Sequence, residues 1–185
     1  MRLDHIAYRS KDRYKTAKFF EDSLGYTIGT EFQIEFDDGG KAECLALIPP
    51  EKRTEDTGLW RLKTHLSLNE IETEDEVEYH APPEIFVSDG QEGTIVGDWV
   101  TARGGVGGIH HIAYQVGSVK DTMDEWRDKG DAEFLSEEPM ECPGLKQVFT
   151  KPSELTGVIY ELISREGKGF CELNVKGLME STKGQ

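Results

Sequence analysis

Two histidines in a repeated tetrapeptide are the residues whose types and spacing most clearly indicate chemistry. The sequence His-Ile-Ala-Tyr begins at His5 and recurs 106 residues later at His111. Each copy has the alternating pattern of a β-strand. Equivalent positions of a duplicated strand lie close together when two modules pack about a pseudo-twofold axis. A lone strand histidine is more often a core or surface residue, but the repeat favours a pair of metal ligands.

Glu161 supplies a third donor of the right kind. It lies in the apolar run VIYELI, where an ionised carboxylate is costly to bury unless a cation compensates it. Two neutral imidazoles and one carboxylate on neighbouring strands form a facial triad, which leaves several coordination positions of a divalent metal open. The sequence therefore predicts a metal site built from His5, His111 and Glu161.

For two further residues, His110 and Glu84, the question is whether they also bind the metal. Strand side chains alternate between faces, so His110 is expected to point away from the metal. Glu84, in PPEIFVSDG, is expected at the place symmetrical with Glu161 and is either a fourth ligand or a surface residue at a strand start. Four protein ligands suit a metal that acts as a Lewis acid, whereas three leave room for oxygen.

The elements that position these residues follow the repeat. In each copy the His-Ile-Ala-Tyr strand precedes an amphipathic helix, which begins after Ser10 or Ser118 and ends at Gly25 or Gly130. Further strands are predicted at 26–36, 42–48, 83–88, 132–135, 145–151 and 156–163. The predicted fold is α+β, with two βαβββ modules in a pseudo-twofold arrangement that forms a metal-binding cleft.

The chain is expected to form a single domain of residues 1–185. The first module covers residues 1–100 and carries an acidic insertion near 50–82, which is too charged for a core. The glycine-rich segment TARGGVGG at 101–108 precedes the second module at 109–165, and a helix and tail follow at 166–185.

Composition excludes some classes of function. The chain has 21 Lys and Arg against 36 Asp and Glu, a formal net charge of −15, which would repel nucleic acid. Three widely spaced cysteines without a C-x-x-C pair suggest thiols in a reducing compartment. No leader or membrane-spanning segment is evident. We expect a cytoplasmic protein that binds a small molecule but neither nucleic acid nor membranes, and a homodimer is compatible with the sequence.

The motifs resemble those of a known superfamily. HIAY before a capped helix, GGVGGIHHIAY, and an apolar strand ending in glutamate are similar to the vicinal-oxygen-chelate superfamily of glyoxalases, bleomycin resistance proteins and dioxygenases. More narrowly, GGVGGIHHIAYQVGSV, LKQVFTKP, VIYELI and the tail pattern GF-x-x-x-N-x-K-x-L-x-E resemble the catalytic half of 4-hydroxyphenylpyruvate dioxygenases. The resemblance implies Fe²⁺ on His5, His111 and Glu161, with Gln147 near the substrate and Phe170 closing the site. Co²⁺, Ni²⁺, Mn²⁺ and Zn²⁺ are the alternative metals.

Departures from that pattern keep other activities open. The strand before the glycine-rich segment is GTIVGDWV, without the glutamine of the dioxygenases, and their separate N-terminal half has no counterpart here. KPSELTGVIYEL is also similar to methylmalonyl-CoA epimerases. The leading interpretation is a non-haem Fe(II) dioxygenase of a small 2-oxo acid. An epimerase or lyase in which Glu84 or Glu161 moves a proton is the second, and a small-molecule-binding resistance module is the third.

Overall fold

The computed structural model of the chain describes residues 1–50, 82–167 and 170–184. Nearly all of the predicted acidic insertion lies outside these ranges. Within them, none of the helices has the length and apolar character needed to cross a membrane.

The described chain alternates strands and helices in a repeated order. Within the described ranges, two successive β-α-β-β-β series are separated by a helix, and a last helix follows them. The elements are β1 Arg2–Arg9, α1 Arg13–Leu24, β2 Thr27–Glu35, β3 Lys41–Ile48, β4 Glu84–Asp89, α2 Ile95–Ala102, β5 Gly108–Gln115, α3 Val119–Lys129, β6 Met140–Cys142, β7 Leu145–Phe149, β8 Ile159–Arg165 and α4 Glu172–Ser181.

The strands form one mixed sheet with the two repeated strands at its centre. The order is β2-β3-β4-β1-β5-β8-β7-β6, and β1 and β5 pair antiparallel. The parallel pair of β1 with β4 is matched by that of β5 with β8. This palindromic order places the two series symmetrically about the β1 and β5 pair. The predicted α+β fold is confirmed.

The helix boundaries follow the sequence signals with one shift. Ser118 caps α3 by accepting a hydrogen bond from the Asp121 amide, and Gly130 ends it in the left-handed conformation at φ 73°. Gly25 ends α1 in the same way. The cap of α1 is Asp12 rather than Ser10, because the Asp12 carboxylate accepts from the Lys15 amide.

Two segments differ from the predicted strands. GTIVGDWV contains α2, capped by Thr94, and buries Trp99 and Val96 against the sheet. The strand predicted at 132–135 is reduced to a single bridge at Phe134, while β6 forms at 140–142. Apolar runs this short do not distinguish a helix from a strand by periodicity, so packing decides between them.

The cysteines also differ from the expectation of three thiols. Cys142 at the end of β6 and Cys171 at the start of α4 form a disulfide, and Cys44 is free and buried. The sequence spacing gave no signal of this pair because 29 residues separate them, and only the return of α4 over the sheet brings them together.

Reducing the Cys142–Cys171 bond is expected to lower the free energy of unfolding by about 3 to 4 kcal/mol, because the bond closes a loop of 29 residues in the unfolded chain. Denaturant unfolding of the oxidised and reduced protein measures this difference. A Cys44→Ala variant serves as the control, since it keeps the bond. Three reactive thiols in the unreduced protein after unfolding in denaturant, instead of the one of Cys44, would contradict the pairing.

Candidate metal centre

Two β-bulges shape the central strand pair where the repeated histidines lie. The register of β1 with β5 skips Asp4 on β1 and His110 on β5. These residues are equivalent in the repeat, since each precedes the first histidine of His-Ile-Ala-Tyr. An extra residue breaks the strict alternation of faces and redirects a side chain. Each bulge therefore lets two successive side chains lie on the cleft side of the sheet.

The side chains of His5, His111 and Glu161 converge in the cleft. Their ligand atoms all lie within 4.8 Å of one another. The Nε2 atoms of the two histidines are 3.3 Å apart, and Glu161 Oε2 lies 3.3 Å from His5 Nε2 and 3.1 Å from His111 Nε2. The repeat thus brings together the three residues that the sequence singled out.

These separations suit a divalent metal. Ligands at about 2.1 Å from an ion and at right angles to one another are about 3.0 Å apart, close to the observed 3.1 to 3.3 Å. Two imidazole nitrogens and one carboxylate oxygen form a facial donor set that first-row metals accept. The residues present therefore fit the metal that the sequence predicts.

Burial and mutual contact set the charges of the cluster. Burial lowers the pKa of His5, but the Glu161 carboxylate and Asp4 raise it, to about 9 overall. Burial raises the pKa of Glu161, but the two imidazoles bring it well below its ordinary value. Burial lowers the pKa of His111 more than Glu161 raises it. Glu161 is thus ionised at neutral pH, and a cation that binds here displaces a proton from His5.

A charged chain orients His5 from behind. His5 Nδ1 donates to Asp4 Oδ1 at 2.8 Å, which leaves Nε2 to face the cleft. Asp4 in turn accepts from Arg165 Nη2 at 2.9 Å, and the same Nη2 donates to Glu84 Oε2 at 3.0 Å. Such outer hydrogen bonds fix the ring and the tautomer of a metal-binding histidine.

His110 plays the equivalent part for His111, contrary to the expectation that it points away. Its Nδ1 lies 2.9 Å from Nδ1 of His111, and the His110 side chain lines the same cleft. The physical reason is the bulge at His110, which the sequence pattern did not reveal. Asp4 and His110, equivalent in the repeat, thus contact the rings of the two candidate ligands.

Glu161 is held by an amide relay. Gln147 Nε2 donates to Glu161 Oε1 at 2.7 Å, and Asn174 Nδ2 donates to Gln147 Oε1 at 3.1 Å. All three side chains are buried. This leaves Glu161 Oε2 directed at the histidines, so Gln147 positions the carboxylate and also lines the cleft.

Glu84 does not occupy the place symmetrical with Glu161. Glu161 pairs in register with Ala113, two residues after His111. The equivalent residue, Ala7, pairs with Phe86, whereas Glu84 pairs with His5 itself. The sequence expectation was wrong by two residues because the register of β4 is not visible in the sequence. Glu84 instead binds Arg165 and is not among the converging ligand atoms.

Apolar side chains line much of the rest of the cleft. The ring of Phe170 lies 5.1 Å from the His5 ring and 5.2 Å from the Phe86 ring. Helix α4 adds Val175, Leu178 and Met179 to the wall. The start of the tail therefore covers the ligand cluster.

Sequence reasoning missed three residues of this site: Asp4, Arg9 and Arg165. Arg9 lies on the same face of β1 as His5 and Ala7, so the two-residue period of the strand could have identified it. No comparable signal existed for Asp4, which depends on a bulge, or for Arg165, which reaches it from β8.

Solved structures with the same fold include enzymes of two kinds. A methylmalonyl-CoA epimerase is 19% identical with a TM-score of 0.62, and the match covers 90% of this chain and 97% of that one. The Mycobacterium tuberculosis methylmalonyl-CoA epimerase is 17% identical with a TM-score of 0.59, over 89% and 88%. A variant of 4-hydroxymandelate synthase from Streptomyces coelicolor is 17% identical with a TM-score of 0.70, over 98% of this chain and 53% of that one.

Sequence comparison identifies the family more directly. No curated protein matches the chain. The model of the glyoxalase/bleomycin resistance protein/dioxygenase superfamily matches residues 2–158, a range that contains both copies of the repeat. The chain belongs to the glyoxalase/bleomycin resistance protein/dioxygenase superfamily.

Proposed function

We propose that the chain is a non-haem Fe(II) dioxygenase of a small 2-oxo acid, with His5, His111 and Glu161 as the iron ligands. The superfamily includes dioxygenases by description, and two histidines with one carboxylate are the donor set of non-haem Fe(II) oxygenases. A bound Fe(II) ion supplies the redox chemistry by which oxygen is consumed and the 2-oxo acid is decarboxylated.

This proposal rests on a phenylalanine at the position where the symmetry of the two modules would place a fourth metal ligand. Phe86 stands where the register would place a partner to Glu161. A side chain without a donor atom leaves three protein ligands, so three of six positions stay available. A 2-oxo acid that chelated through its carboxylate and keto oxygens would take two of them and leave one free.

The chain's own residues prepare the site for that chemistry. Asp4 and His110 hold the rings of His5 and His111, and Gln147 holds Glu161. These contacts fix the orientation of the donor atoms, so the site is preorganised. Phe170 and Phe86 give the cleft an apolar wall, which would disfavour water beside a bound substrate.

An epimerase or lyase is the second candidate, because the epimerase structure is matched along 97% of its length. In that reaction a carboxylate moves a proton on the carbon beside a polarised carbonyl. Glu84 is engaged by Arg165, and Glu161 lies at the histidines. Neither is therefore a free base in this arrangement, which is why we place this function second.

Oxygen uptake separates the two functions. The protein is loaded with Fe(II) under argon and then given oxygen together with pyruvate, phenylpyruvate, 2-oxovalerate or 2-oxoglutarate. With at least one of these acids we expect it to consume oxygen and to release one carbon dioxide for each oxygen molecule consumed. An oxygen electrode and carbon dioxide trapping measure both. The Glu84→Gln variant is expected to keep its iron and its uptake.

Exchange of substrate protons with deuterated water under argon provides the opposing result. Three results together would show that the dioxygenase proposal is wrong and would favour the epimerase. Cobalt-loaded protein would catalyse the exchange, Glu84→Gln would abolish it, and none of the 2-oxo acids would support oxygen uptake by the iron-loaded protein.

A further inference from the structure

Arg9 is a buried cation in the wall of the cleft. It is 2% exposed and lines the cleft together with the candidate iron ligands. It lies four residues beyond His5 on the same face of β1, which places the two Cα atoms about 13 Å apart along the strand. The Arg9 side chain therefore lies at the end of the cleft beyond the metal centre.

No carboxylate of the described residues neutralises this cation. Arg9 Nη2 donates to Thr182 Oγ1 at 2.9 Å, while Nη1 is buried and has no partner within the described ranges. Burial and the nearby Arg103 lower the pKa of Arg9 to about 9, so the guanidinium is still charged at neutral pH. A buried charge without a counter-ion is costly, and an anionic ligand would offset that cost.

His110 adds a second unused donor, which follows from its contact with His111. A histidine that binds a metal through Nε2 carries its proton on Nδ1, so with a metal bound His111 Nδ1 would donate across the 2.9 Å contact to His110 Nδ1. An imidazole that accepts at Nδ1 must carry its proton on Nε2. Nε2 of His110 is buried and lacks a partner among the described residues.

The two donors flank the same tryptophan ring, and burial together with the nearby charge of Arg9 lowers the pKa of His110. The Arg9 guanidinium carbon is 5.6 Å from the centre of the Trp99 ring, and the His110 ring is 5.7 Å from it, centre to centre. Both side chains also line the cleft. One charged N–H and one neutral N–H match the two oxygens and the single negative charge of a carboxylate.

We propose that Arg9 and His110 form a carboxylate-binding subsite, and that the substrate is a dicarboxylic 2-oxo acid whose distal carboxylate binds there. The inference rests on the proposed function, because the 2-oxo acid end of the substrate is taken to chelate the metal. The apolar side chains that line the cleft, which include Phe149 and Val175, suit a short methylene spacer.

Calorimetric titration of the Fe(II)-loaded protein under argon tests the subsite without turnover. The ligands are 2-oxoglutarate and 2-oxovalerate, which differ only in a carboxylate or a methyl group at the distal carbon. Oxaloacetate with 2-oxobutyrate, and 2-oxoadipate with 2-oxohexanoate, vary the spacer in the same way. For at least one pair the dicarboxylate is expected to bind about 10- to 100-fold more tightly, the range for hydrogen bonds to charged groups.

Substitutions assign the preference to Arg9. In Arg9→Met the members of that pair should bind within about threefold of each other, because the charge-assisted bond is lost. Arg9→Lys should keep part of the preference, since it keeps the charge but not the planar fork. Arg103→Met is the matched control: its guanidinium lies 3.6 Å from the centre of the same Trp99 ring, but it is exposed, so the preference should persist.

The possible failures are distinguishable. If the wild-type protein binds the two members of every pair equally tightly, the subsite is overturned while the proposed function is unaffected. This comparison does not depend on the folding of any variant. A preference that survives in Arg9→Met also overturns it. If no acid of either kind binds the iron-loaded protein, the proposed function fails, and the subsite fails with it.

Discussion

Replacing His111 with alanine is expected to lower the affinity for Fe(II) by more than about 100-fold, because one of three ligands is removed. This loss exceeds the range expected when a residue that only hydrogen-bonds to a ligand is replaced. The fold should persist, since the hydrophobic clusters that α1 and α3 form with the sheet do not include this side chain. Competition with a chelator gives the metal affinity, and thermal unfolding of the metal-free protein gives the stability.

His110→Ala is the informative companion of that variant. It removes the acceptor of the His111 Nδ1 proton but no ligand, so the affinity for Fe(II) should fall by about 10-fold, at the lower end for an outer partner. If His110→Ala loses the metal while His111→Ala keeps it, the assignment of ligands within the pair is wrong.

These variants also mark the boundary of what the sequence could predict. The repeat identified His5 and His111 because identical tetrapeptides at equivalent places must meet across a pseudo-twofold axis. The orientation of His110 could not be predicted, because alternation holds only where the strand is regular and the bulge is a property of the pairing of β5 with β1.

The error at Glu84 has a related cause. A strand's composition predicts that it exists, but not the register in which it pairs with a neighbour. The shift of two residues between Glu84 and Phe86 keeps the same face of β4 toward the cleft, so no mismatch of polar and apolar residues would have revealed it. Similarly, the disulfide and the relay from Asn174 to Gln147 depend on where α4 packs, which its own sequence does not specify. The division into modules at 1–100 and 109–165 stays a prediction.

Placing a fourth donor at position 86 is expected to have the largest effect on oxygen chemistry. In Phe86→Glu a carboxylate would stand at the place symmetrical with Glu161. Four protein ligands and a chelating 2-oxo acid fill all six positions, so oxygen uptake should fall by at least about 100-fold, an effect of the size assigned to loss of a main catalytic interaction. Iron should be held at least as tightly as in the wild-type protein.

Phe86→Leu is the matched control for this experiment. Phe86 is 4% exposed and packs on Phe170, so either substitution disturbs the wall of the cleft, but only glutamate adds a ligand. Oxygen uptake per bound iron should therefore stay within about 10-fold of wild type in Phe86→Leu, because a volume change in an apolar wall misplaces the substrate only modestly. Equal uptake by the two variants, with iron bound in both, would show that the number of protein ligands does not control oxygen chemistry at this site, and Phe86 would then not favour a dioxygenase over an epimerase.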